Sequence, residues 1–314
     1  MTKNKGIFFT LASGFLLKTV ILCGISSLAL AQENTSSQSK MKATDLGVKT
    51  QELKDIDEEI TNARLRASTG SKSKFSIQTE FGYSGGSVGS PIGKTRPKLD
   101  AGPIVPDYTA AYGSISGKYR INERNNINLG SGIGLTTPGF EGQRSELQDP
   151  YLSFSHLIAI NGYQNVLLAQ ITAHSSKSNL DAKNEYGIDF THTILTNIGK
   201  SKWQAGLSTA LSYEGYSGFV SKNAQAAQSV IGFYPFAEYA FSDNYSFRTV
   251  YRGSTFVALR SATEKLLWSE ATQSMGVGMT ITRDIYLYPN IQWVWRDLRS
   301  DKTNVALSAN INFF

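Results

Sequence analysis

His174, Ser175 and Ser176 stand in a row, an imidazole beside two hydroxyls, and those are residue types that nucleophilic hydrolysis uses. They equally describe a serine-rich surface loop that follows a histidine. The other two histidines, His156 and His192, lie far from it in sequence, and Cys23 is the single cysteine. No spacing among these groups suits a metal, and there is no glycine-rich phosphate loop, so no catalytic residue, metal or cofactor is expected. A second constellation is ionic. Glu238, Arg248 and Arg252 fall close together and suit either a structural salt bridge or the lining of a polar passage. The elements that carry them decide between these readings.

From Lys74 onward apolar and polar residues alternate, which reads as strands with one oily and one wet face. The last stretch shows it plainly: Val305, Leu307, Ala309, Ile311 and Phe313 share one face, while Asn304, Ala306, Ser308, Asn310 and Asn312 share the other. Twelve such strands can be laid out, with the fourth over residues 151–160 and the fifth over 163–174. Each is about ten residues long, the length of a tilted membrane-crossing strand. Asn161-Gly162 is a two-residue hairpin turn that sets Ile160 opposite Tyr163. Short connections alternate with long ones, the latter including residues 85–108 and 138–150. That alternation belongs to transmembrane barrels, whose short turns are periplasmic.

The phenylalanine finish of the last strand resembles the C-terminal strand of bacterial outer-membrane β-barrels, which usually ends in Phe and serves as the assembly signal. Here Phe313 keeps the parity of the oily residues and Phe314 is one step past it. The resemblance implies outer-membrane lipid as surroundings and the barrel-assembly machinery as a partner of the C-terminal strand. The expected fold is all-β: a 12-stranded antiparallel transmembrane β-barrel over residues 74–314, with an N-terminal periplasmic α-helix.

In such a barrel oily side chains face lipid and polar ones face the lumen. If Phe241 pairs with Tyr245 across a turn, Glu238 lies opposite Arg248 and Tyr234 opposite Arg252. The pore-lining candidates are therefore Tyr234, Phe236, Glu238, Arg248 and Arg252, with Lys118, Arg120 and Arg296. Lumenal positives on this register (Lys74, Lys118, Arg120, Arg248, Arg252, Arg296) nearly balance the negatives (Glu80, Glu185, Asp189, Glu214, Glu238), which argues against strong ion selectivity. Gly and Ser on the wet faces of four strands suggest open space. His174 falls at the outer rim. Its His-x-Ser resembles that of the outer-membrane phospholipase family, but Lys177 and Ser178 break the run that follows, and that family's pair faces lipid. An enzyme is not expected.

The chain opens with Lys3 and Lys5, then an apolar run broken by Lys18, ending in Ala29-Leu30-Ala31. This is a signal peptide over residues 1–31. Its removal takes the cysteine and three lysines, so the formal charge falls from +6 to +3, too mild an excess for nucleic-acid binding. Residues 32–43 are polar and expected to be disordered. Residues 44–70 read as a periplasmic amphipathic helix or short coiled coil, with Leu46, Leu53, Ile56, Ile60 and Ala63 on one stripe. That stripe is expected to be one seam of a homo-oligomer. Outward His156 and His192, with Ala169 and Ala173 between them, would be the other. The alternative for the helix is to plug its own barrel from below.

The leading functional expectation is a channel for passive diffusion of small polar solutes. One rival is an oligomeric structural or lipid-organising barrel, and here the helix-plus-barrel plan resembles ring-forming outer-membrane proteins of predatory bacteria. The other rival is a lipid-acting enzyme.

Overall fold

The computed structural model describes residues 62–68, 70–97, 107–217, 227–259, 266–268 and 271–313. Chain order begins with helix α1 (Ala63–Ser68) and strand β1 (Phe75–Ser87), followed by the short pair β2 (Thr95–Arg96) and β3 (Asp107–Tyr108). Then come β4 (Ala110–Arg120), β5 (Asn125–Thr136), β6 (Arg144–Ile160), β7 (Tyr163–Ala173), helix α2 (Lys177–Asp181), β8 (Asn184–Asn197), β9 (Trp203–Tyr216) and β10 (Ala227–Ala240). The wall continues through β11 (Tyr245–Arg252), β12 (Ser254–Leu259), β13 (Leu266–Trp268), β14 (Thr272–Thr282), β15 (Ile285–Val294) and β16 (Asn304–Phe313).

Every main neighbour pair is antiparallel, and β16 closes on β1 with Phe313 opposite Ile77 and Ile311 opposite Thr79. Strands β11 and β12 form one stave broken at Gly253, because β10 pairs with β11 through Phe236–Ala240 and with β12 above that. Strands β13 and β14 likewise form one stave, β13 pairing with β12 and β14 with β11; counted so, the wall is a closed barrel of 12 strands, as the alternation predicts. Closure leaves no unpaired edge, which a lipid environment requires. The expected registers hold: Ile160 faces Tyr163, and Glu238 faces Arg248. Outward apolar side chains stay bare, with Leu129 64% and Ile115 60% exposed. Tilted ring pairs Phe75–Tyr119 and Trp203–Tyr239 mark the short-turn end, as interfacial girdles do.

Two elements differ from expectation. Strand β6 does not begin at Tyr151 but runs back to Arg144, past a register shift where Gly130 pairs with Tyr151 and Gly132 with Gln148. Asp149 and Pro150 thus oppose the single residue Ser131. This is a bulge, and Pro150, with no N–H to give a ladder, is at home in one. The extra residue reverses the parity: Leu147 turns outward, 66% exposed, and Glu146 and Gln148 turn toward the lumen. The second difference is Arg296. It lies in an exposed turn beyond β15 at φ 72, outside the strand, so it does not line the barrel as expected.

Candidate functional site

The helix α1 is made of strong helix formers, Ala-Arg-Leu-Arg-Ala, but six residues cannot hold a helix alone. Its ends are capped. Asn62 accepts the Leu65 N–H through its side chain at 3.2 Å. Gly70, at φ +82, ends the helix in the left-handed conformation that glycine adopts without strain.

The barrel supplies the rest. Leu65 enters a cluster of inward-facing Leu157 (β6), Leu195 (β8), Phe236 (β10) and Val250 (β11), with Val166 and Tyr234 packed around it. Burying a leucine in such a socket is worth about 1.5–3 kcal/mol. On the opposite flank Ala67 packs with Tyr286 and Tyr288 of β15, and Ala63 lies against the same group. Asn62 receives a second tie, its Nδ2 donating to Gln204 at 2.8 Å and to Glu238 at 3.0 Å. Four side chains then donate to carbonyls at and beyond the C-terminal turn. Asn312 reaches Ala67 O at 2.7 Å, Lys118 Ser68 O at 3.3 Å, Arg283 Gly70 O at 3.0 Å and Arg120 Ser71 O at 2.6 Å. Cations at a helix C-terminus are favourable because the carbonyls there carry partial negative charge.

The helix is therefore lodged inside its own barrel at the short-turn end. Ala63, expected on an intermolecular stripe, faces the lumenal wall instead. Residues 69–74 tether α1 to β1 over at most about 20 Å, so the helix belongs to the mouth of its own barrel. Leu46, Leu53, Ile56 and Ile60 lie outside the described residues.

The pore-lining candidates converge here, except Arg296. Glu238 and Arg248 form a buried ion pair at 3.1 Å, and Ser246 Oγ donates to Glu238 at 2.6 Å. The Arg248 guanidinium also lies over the Phe236 ring, 4.3 Å from its centroid. Arg252 donates to Ser274 Oγ at 3.1 Å. So these charges hold structure at the narrow end. Of the wet-face glycines expected to leave space, Gly206 receives a ring instead: a Cβ there would collide with Phe236 and Leu195. Gly82, on β1, is covered by Tyr112 in the same way. Rings lie along the wall where side chains are missing, so wet-face glycine does not by itself mean an open lumen.

Among the described residues, two cavities remain in the lumen. A lower one of about 500 Å³ is lined by Asn62, Arg66, Gln204, Glu238 and Ser246. An upper one of about 760 Å³ has Ser68 at its floor and Gln78, Glu80, Glu146, Gln148 and Gln170 among its walls. The same short helix borders both. Glu146, Gln148 and Asp149 were missed as lumenal because residues 138–150 read as a loop. Only the apolar Leu147 between two polar neighbours hinted at a strand. Of the long loop 85–108, the described part leans on the rim: Arg96 donates to Gln292 at 3.2 Å and Asn304 to Pro97 O at 2.9 Å.

At the upper rim His174 is held between two carboxylates, Nδ1 to Asp149 at 2.7 Å and Nε2 to Glu214 at 2.8 Å. Asp149 also accepts the backbone N–H groups of Ser175 and Ser176, each at 2.6 Å. About ten residues of each strand cross a bilayer, which leaves this cluster beyond the span. Partial burial disfavours the imidazolium, but its bonds to Asp149 and Glu214 outweigh that and raise its pKa above 6.5. For Asp149 burial likewise works against the charge, yet the Ser175 N–H, His174, Ser176 and Asn179 hold its pKa at about 2. Serine hydrolysis needs an imidazole nitrogen on the serine hydroxyl. Both nitrogens here are turned to carboxylates, so the cluster is a pin between β6, the β7–β8 loop and β9.

His156 and His192 face outward. Each is tied to a neighbouring amide, His156 to Asn125 at 2.6 Å and His192 to Asn165 at 3.0 Å. Ala169 and Ala173 lie on the outward face of β7 between them.

No protein-family model matches the chain, and no curated protein matches it by sequence. Solved structures do. An outer-membrane channel from Pseudomonas putida F1 aligns at TM-score 0.51 and 12% identity, covering 77% of this chain and 96% of that one. The NanC porin aligns at TM-score 0.42 and 12% identity, over 75% of this chain and 97% of its own. The KdgM porin in complex with disordered oligogalacturonate gives TM-score 0.41 at 8% identity, over 76% and 99%. None of these supports the resemblance to ring-forming proteins of predatory bacteria. At such identities the likeness is one of fold, and the fold is that of an outer-membrane β-barrel.

Proposed function

We propose that the protein is an outer-membrane channel for small polar solutes, narrowed near its short-turn end by the lodged helix α1. The observation that carries this reading is a pair of cavities inside one closed wall, both bordered by the same six-residue helix. A barrel that served only as a membrane scaffold would gain nothing from cavities of this size on each side of a removable element. Short turns toward the periplasm would put the helix at the inner mouth. The rim cluster around His174 argues against a lipid-acting enzyme.

The test is reconstitution of the native chain in planar bilayers and swelling of proteoliposomes in neutral polyols of increasing size. Small, steady conductance with a sharp size limit supports the channel. Silence, persisting when the helix seat is broken, contradicts it and favours the structural reading.

A homo-oligomer is a second reading for the outer wall. Polar side chains facing lipid are costly, and the His156–Asn125 and His192–Asn165 pairs lie on that wall beside the small Ala169 and Ala173. Crosslinking in native membranes tests it: a ladder lost on His192→Leu with Ala169→Phe supports a protein contact there, and a monomer throughout rules it out.

A further inference from the structure

We infer that the outer wall carries a binding site for one glycerophospholipid, with an acyl chain laid over Gly117 of β4 and the phosphate held at Lys74. The site stands on the barrel fold and does not depend on conduction.

The wall dips at this place. A groove of about 630 Å³ opens outward between Phe75 and Ile77 of β1, Gly117 and Tyr119 of β4, and Ile127 and Leu129 of β5. Register explains the dip. Gly117 pairs with Ile77 on one side and with Leu129 on the other, so a residue without a side chain stands between two branched ones. Two residues nearer the short turns, Tyr119 pairs with Phe75 and Ile127 and closes the lower end. Glycine weakens a strand, and inside one it marks a bulge, a tight bend or the close approach of another group. Gly117 lies in unbroken ladders on both sides and has no positive φ. Rings cover Gly82 and Gly206, but a Cβ at Gly117 would meet nothing within 4 Å. No other described glycine in the barrel strands leaves such space. The gap is bounded by apolar side chains on a face that meets hydrocarbon.

A cation stands at one end of it. The exposed Lys74 ammonium lies over the Tyr119 ring, 5.7 Å from its centroid. The groove thus has an oily body and a positive charge at the girdle, the complement of an amphiphile with a negative head. A lysine near the membrane surface attracts anionic lipid. The depth agrees as well. Lys74 stands level with Arg120, whose N–H donates to its carbonyl. Gly117 is three residues further up the strand, about 10 Å, within the roughly 15 Å of hydrocarbon that one leaflet supplies. A second copy of the chain fits this face less well. Two-fold packing would set groove against groove, leave the gap unfilled and bring Lys74 toward its own copy.

Native mass spectrometry of the full chain, released from mild detergent with phosphatidylglycerol present, counts the bound lipid. Diacylglycerol with the same acyl chains is the control. One phosphatidylglycerol should outlast the rest, and diacylglycerol should be held about fivefold less well. Lys74→Gln should give the same fivefold loss with phosphatidylglycerol, and Gly117→Leu, which fills the groove, a loss of about tenfold. Val277→Leu, outward on β14, should change nothing. Heat modifiability reports the fold of each variant. Lys74→Gln alters only an exposed side chain, so it keeps the test decisive even if Gly117→Leu misfolds. Equal retention by native and Lys74→Gln chains, equal retention of the two lipids, or a dimer that Gly117→Leu abolishes would overturn the site.

Discussion

Strand β6 presents Leu157 to the lumen near the short turns and Ser153 and Gln148 nearer the long loops; β7 presents Val166 below and Gln170 and Thr172 above. The two ends of one lumen are thus built for different guests. The lower end is apolar on its β6–β11 side and cationic around the helix C-terminus, which suits Leu65 and a set of bare carbonyls. The upper end sets amides, hydroxyls and carboxylates among a few apolar side chains such as Leu168, a mixed wall that suits water and solute. The contrast teaches that a porin-like wall can carry a protein-like core over part of its height. There the usual rule of polar-inside is suspended because the guest is a peptide.

Breaking the lower end should cost most. Arg248→Ala takes from the buried Glu238 its ion-pair partner, and should destabilise the barrel by about 3–5 kcal/mol. The unfolding midpoint in detergent reads this. An unchanged midpoint would mean that the lower end is as wet as the upper. Next, Leu65→Ala should weaken the helix seat by about 2–5 kcal/mol. It should expose residues near α1 to protease, while the heat-modifiable barrel persists. Asn62→Ala removes the cap and the ties to Gln204 and Glu238, and should cost about 1 kcal/mol through the cap alone. By contrast Ser308→Ala in the upper cavity should stay within about 0.5 kcal/mol of the native chain. A large loss there would erase the distinction between the two ends.

The smallest expected effect is at the rim. The raised His174 pKa means that its stabilising contribution is complete below 6.5 and fades as pH rises through the raised value. The lowered Asp149 pKa works the other way: its contribution is present above 3.8 and fades as pH falls toward about 2. The β7–β8 loop should therefore be best pinned in mildly acidic solution and loosen in alkali. Tryptic cleavage at Lys177 should rise with pH in the native chain beyond trypsin's own pH response. His174→Ala should remove that excess rise.

The barrel itself was legible in the sequence because its information is local. Alternation fixes which side chains share a face, Asn161-Gly162 fixes a register, and the ladder carries both around the wall. The opposition of Glu238 and Arg248 followed from one short turn. What escaped is non-local. Leu157, Val166, Leu195 and Val250 are single apolar residues on wet faces, each unremarkable within its own strand. They become a socket only when the register sets them side by side and α1 folds in. The bulge at Pro150 escaped because one extra residue reverses the parity, so Glu146 and Gln148 fell out of step with the strand they belong to. Glycine on a wet face reads as empty space, although at Gly206 the ring that fills it comes from β10, some thirty residues on.

The central claim is that α1 is the constriction of a conducting lumen, and its most direct test is single-channel conductance of the native chain against Leu65→Asp. A carboxylate cannot stay in the Leu157–Leu195–Phe236–Val250 socket without a large penalty, so the helix should leave and the two cavities should join. The account predicts a small native conductance and one several-fold larger in the variant, with the barrel equally folded by heat modifiability. The same conductance in both, or none in either, would contradict it.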